Sequence, residues 1–146
     1  MRTTVIKKDY PMRKIDTNTK LSALWLFILL NIIFRDLHQF ANEPFLEMLL
    51  TGTYNGIELT EELMLLGGVL AEGPIAMVLF SLLLNRGIGR PVTFVAAFIT
   101  TATLVSSAPS DMDDVFHLVI ELAAMLAILW TAWMWPEHDR AAQVRK

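Results

Sequence analysis

Four apolar stretches, each near the length a helix needs to cross a bilayer, decide what this chain can fold into. Bilayer hydrocarbon offers no partner to a backbone N–H or C=O, so a crossing segment of about 20 residues must satisfy its own. The stretches run from about Leu21 to Phe40, Glu62 to Leu84, Pro91 to Ser107 and Asp114 to Trp135. The third is the shortest. Its start is set by Pro91, expected in the first turn, where a missing amide donor costs nothing. The expected fold is all-α, a four-helix transmembrane bundle of residues 21–135, with tails at 1–20 and 136–146. The chain is 54% hydrophobic and has no cysteine, which excludes disulfides, thiol catalysis and zinc–thiolate sites.

Charge fixes the expected orientation. Six basic residues precede the first span: Arg2, Lys7, Lys8, Arg13, Lys14 and Lys20. Arg86 and Arg90 follow the second span, and Arg140, Arg145 and Lys146 follow the fourth. The other two connections hold no Lys or Arg and carry Glu43, Glu47, Glu58, Glu61, Asp111 and Asp113. Of the 12 basic residues, only Arg35 falls outside this pattern. The positive-inside rule therefore puts both termini in the cytoplasm, with the protein in a plasma (bacterial inner) membrane. Trp25, Trp130, Trp133 and Trp135 lie near the same ends, where interfacial anchors are expected. The polar region before the first span is long and no small-x-small site follows it, so the span is expected to be kept. Topology accounts for the basic residues, so no nucleic-acid partner is expected.

The 41–61 connection holds an apolar stretch, Phe45 to Leu50, expected as an interfacial helix partly covering the bundle mouth. Tyr54-Asn55-Gly56 is a turn signal. Thr60 is expected to cap the second span, with Glu61 and Glu62 in the first turn. Ser110 and Asp113 have the spacing of a capping box before the fourth.

Ionisable residues inside the spans set the functional question. Depth below the outer edge of a core about 30 Å thick follows from a helical rise of about 1.5 Å per residue. His38 then lies at about 3 Å, His117 at about 5 Å, Asp36 at about 6 Å and Arg35 at about 8 Å. Glu121 lies at about 11 Å, Asn31 at about 14 Å and Glu72 at about 15 Å. All sit in the outer half, and intramembrane ionisable residues are functional candidates by default. Asn31, Arg35 and His38 share one stripe of the first helix, and His117 and Glu121 are i, i+4 on the fourth. Asp36 is about 100° round from Arg35, placed either to sit at the edge of a pocket or to snorkel outward. Glu72 precedes Gly73-Pro74, where a kink is expected to open space beside the carboxylate. Ala96, Thr100, Thr103 and Ser107 form a small stripe suited to close helix packing.

With neutral histidines, Arg35 faces three acids, Asp36, Glu72 and Glu121, and a net buried charge must be compensated. Three readings follow. The cluster of Asn31, Arg35, Asp36, His38, Glu72, His117 and Glu121 is an outward pocket for a small amphipathic molecule, with His117, Glu121 and Glu72 as candidates for proton chemistry. Or it handles protons or a cation. Or it is an ion-pair network that only fixes helix packing. Two histidines and two glutamates could ligate a metal, but Arg35 would repel it; no metal or other cofactor is expected. Membrane lipids are the expected surroundings, and the sequence leaves the oligomeric state open.

The segments LSALWLFILLNIIFRDLHQF, TGTYNGIELTEELMLLGGVLAEGPIAMVL and DDVFHLVIELAAMLAILWTAWMW resemble a small bacterial family of four-span membrane proteins, a domain of unknown function. The resemblance spans about residues 17 to 136. It joins the Arg-Asp-x-His, Asn-Gly, Glu-Gly-Pro and Phe-His-x-x-x-Glu segments. It implies a four-helix integral membrane protein and brings no activity. Through His117 and Glu121 alone, the chain also resembles, more distantly, membrane bundles of the sterol-isomerase type, which use acid and histidine side chains on an amphipathic substrate.

Overall fold

The computed structural model describes residues 15–54, 56–107, 109 and 111–137. Helix α1 covers Thr17–Gln39, α2 Glu43–Leu50, α3 Glu61–Leu83, α4 Arg86–Ser106 and α5 Met112–Trp133. Strands β1, Thr53–Tyr54, and β2, Ile57–Glu58, pair antiparallel between α2 and α3. Helices α1, α3, α4 and α5 are each long and apolar enough to cross a membrane. They pack as a ring in which α1 touches α3 and α5, and α4 touches α3 and α5. Four successive passes bring residues 15 and 137, the first and last described, to one end of the bundle, the tail end; α2 and the hairpin lie at the far end.

Caps set most boundaries. Asp16 accepts from the Thr19 amide at 3.3 Å and starts α1 a turn earlier than hydropathy suggests. Thr60 caps α3 as expected, accepting from the Leu63 amide at 3.3 Å, with Glu61 and Glu62 in the first turn. At α5 the N-cap is Asp111, whose carboxylate accepts from the Asp114 amide at 2.8 Å. The expected capping box is one residue out of register with this, and Ser110 lies outside the described residues. The basic residues expected in the tails, Arg2 to Lys14 and Arg140 to Lys146, lie outside them too.

Helix α4 and the tryptophans depart from expectation. Helix α4 begins at Arg86, so Pro91 sits in its second turn. The extra turn is stabilised by close packing: Gly89 is buried, and a Cβ there would lie 3.1 Å from the Trp135 ring. Trp25 and Trp135 are core residues, 0% and 3% exposed, whereas Trp130 and Trp133 are exposed as anchors should be. The buried stripe of α4 is Gly89, Thr93, Ala97, Thr100 and Leu104, rotated from the expected one so that only Thr100 is shared. The Thr93 and Thr103 hydroxyls donate to carbonyls of their own helix, which leaves no polar demand on the neighbours.

Leu21, Trp25 and Ile28 of α1 meet Ala124, Met125, Ile128 and Ala132 of α5, with Met77 of α3, Ala97 of α4 and Trp135. In the 41–61 connection, α2 forms where an interfacial helix is expected, but none of its residues is buried. It packs on β1, and its Phe45 ring meets Phe40, just past the end of α1, edge-on at 5.6 Å between centroids. Tyr54 pairs with Ile57 across the hairpin, and Gly56 adopts φ +78°, the left-handed conformation a two-residue turn requires. Asn55, the other turn residue, lies outside the described residues.

Candidate functional site at the α1–α5 seam

Two stripes build the seam. On α1, Leu21, Trp25, Ile28, Ile32, Arg35 and Gln39 alternate spacings of four and three, which keeps them on one side of the helix. On α5, Asp114, Glu121, Met125, Ile128 and Ala132 are buried at the matching spacing. The helices run antiparallel, so apolar residues meet at the tail end and polar ones at the far end.

Arg35 donates from Nη1 to Oε2 of Glu121 at 2.9 Å, and the two side chains are 9% and 0% exposed. This is a buried, charge-assisted bond between helices, the strong class of ion pair. Nearer the far end, Gln39 donates to both carboxylate oxygens of buried Asp114 at 3.3 and 3.4 Å. At the rim, Oδ2 of Asp113 lies 3.8 Å from Nδ1 of His38 and 3.8 Å from Nε2 of His117. These separations exceed hydrogen-bond reach, so the rim contacts become ionic only when an imidazole carries a proton. Arg35, His38, His117 and Glu121 thus converge on one seam.

The other expected members do not join it. Asn31 spends its amide on its own helix, donating to the Phe27 carbonyl at 2.8 Å. Asp36 is exposed, as its angular offset from Arg35 implies. Glu72 is exposed on α3, which packs through Pro74, Met77 and Ser81. Two residues before Pro74 means about 200° of rotation, so Glu72 points away from the bundle. The helix is unbroken across Pro74. An apolar groove of about 410 Å³ does open beside it, between α3 and α4, but it is lined by Leu70, Gly73, Met77 and Ile99, among others, and not by Glu72. A second groove, about 1080 Å³, lies at the tail end beside Arg86, Arg90 and Glu137, at the opposite end of the bundle from the seam's polar residues. Among the described residues, no three His, Asp or Glu side chains are grouped closely enough to hold a metal ion.

Sequence reasoning missed Gln39 and Asp114 and treated Asp113 as a cap. A signal existed: Gln39 is four residues beyond Arg35, and Asp114 is seven before Glu121, so each extends a stripe already identified.

A ring of four membrane-length helices with a buried interhelical ion pair defines a multi-pass integral membrane protein. Within that class, the chain belongs to the family of unknown function DUF6326, whose model matches residues 12–142. No curated protein and no solved structure matches it.

Proposed function

We propose that the α1–α5 seam is an outward-opening polar site for the head of a small amphipathic molecule, with the tails in the cytoplasm of a bacterial inner membrane. One observation carries this reading. Arg35 Nε, Asp113 Oδ2, His117 Nδ1 and Glu121 Oε1 are buried on this seam without a hydrogen-bond partner among the described residues. Of the other such atoms, Trp25 Nε1 lies on the apolar, tail-end part of the seam, and those of Ser81 and Arg86 lie on α3 and α4. A buried polar atom left unpaired costs about 1–3 kcal/mol, so four grouped at the far end of the seam call for a polar guest. Arg35 and Glu121 form the floor of the site, and the Asp113 carboxylate between two imidazoles forms its rim. His117 and Glu121, one turn apart, are the pair able to pass a proton to or from the guest; Glu72 is on another face and takes no part.

The direct Arg35–Glu121 bond favours a second reading, in which the seam only holds two helices together. Mass spectrometry of small molecules extracted from purified protein separates the two. The site reading expects one amphipathic species retained by the wild type and depleted about tenfold in Glu121→Gln, the loss of a charge-assisted bond to the guest. Extracts containing bulk lipid alone, identical in wild type and variant, would refute it and leave the second reading standing.

A further inference from the structure

Glu72 is left without a role by the seam, and it stands on the helix that buries least of itself in the bundle. Its face of α3 includes Leu65, Gly68, Ile75 and Leu79, all exposed. Nearly every position of α3 is apolar, so the spacing of its leucines says nothing about a partner. The informative residues are Gly68 and Glu72, one turn apart on that face. Among the described residues nothing lies within 4 Å of where a Gly68 Cβ would be, so packing among them does not require this glycine. A glycine there lets another backbone approach closely. A carboxylate near mid-depth, facing lipid, needs a polar partner that hydrocarbon does not supply.

We infer that this face of α3 is the interface with a second copy of the chain, paired about an axis along the membrane normal. Such symmetry sets two α3 helices parallel, so each residue near the axis meets its own counterpart at the same depth. Glu72 then meets Glu72, and in the neutral acid form each carboxyl donates to the other, leaving no charge in the hydrocarbon. The pair is self-sufficient. A different partner would have to bring a cation or donor of its own, and the intramembrane arginine of this chain is already held by Glu121. Gly68, one turn nearer the far end, allows the two helices to close around the carboxyl pair.

The chain has no cysteine, so single cysteines report the interface without background. In liposomes of the full-length protein, oxidation should link copies through Ile75→Cys and Leu79→Cys on α3, and not through Ile99→Cys on α4. Photobleaching steps counted across protein-to-lipid ratios should give dimers. Glu72→Leu should weaken association by about three- to thirtyfold, the range of a single interhelical hydrogen bond in a membrane. Glu72→Gln, which keeps a donor and an acceptor, should restore most of it. Gly68→Leu should prevent pairing, and since its side chain meets open space, the monomer should remain folded. Monomers at every ratio, links concentrated on another face, or dimers indifferent to Glu72→Leu would each overturn the inference. These outcomes do not depend on whether the seam holds a guest.

Discussion

Cutting the Arg35–Glu121 bond from one side should be far more damaging than removing both partners. The 2.9 Å N–O contact puts the charge centres roughly 4 Å apart, and at an effective dielectric near 20 their attraction is about 4 kcal/mol. Desolvation of the two ions offsets much of that in the intact pair. Glu121→Leu removes the attraction and leaves the guanidinium's desolvation in place, so the bundle should lose about 3–5 kcal/mol. Arg35→Met combined with Glu121→Leu removes both terms and should fall within about 1 kcal/mol of wild type or gain stability, as apolar replacements of buried pairs often do. Unfolding in lipid bilayers under steric trapping, run as a double-mutant cycle, measures the coupling directly. An ordinary interhelical hydrogen bond in a membrane is worth about 0.6 kcal/mol. If Glu121→Leu alone costs no more than that, the pair is not the buried ionic contact described above.

Two further outcomes test the architecture. Trp25→Ala empties a fully buried site and should cost about 3–5 kcal/mol in the same assay, while Trp130→Ala, 67% exposed, should stay within about 0.5 kcal/mol. A cysteine at exposed Glu58, in the hairpin, should react with a membrane-impermeant maleimide added outside intact cells; labelling only after lysis would reverse the orientation argued from the basic residues.

The spans were legible because length in a bilayer is a hard constraint, and four runs of the right length leave little freedom. Arg35 was legible as a residue in need of an acid, and His117 with Glu121 as one helix face. Rotation was harder to read. In water, an apolar stripe marks the inward side of a helix. In lipid both sides are apolar, and α3 is so uniform that only its contacts through Pro74, Met77 and Ser81 reveal that Glu72 faces out. The same ambiguity made Trp25 and Trp135 resemble anchors, since the sequence places them near the interface and cannot say which way their rings turn. Helix α4 began early for a different reason: Gly89 seats the Trp135 ring, a contact between segments 46 residues apart that local sequence does not encode.

The position of the ion pair along α1 has a consequence for assembly. Once four helices are inserted, lipid tails are as apolar as leucine, so sliding α1 along α5 by one turn exchanges one apolar contact for another at little energetic difference. The Arg35–Glu121 bond breaks this degeneracy. A slip of one turn moves the two groups apart by about 5.4 Å and leaves both charges unpaired. The pair therefore acts as a key that admits one alignment of the first helix with the last.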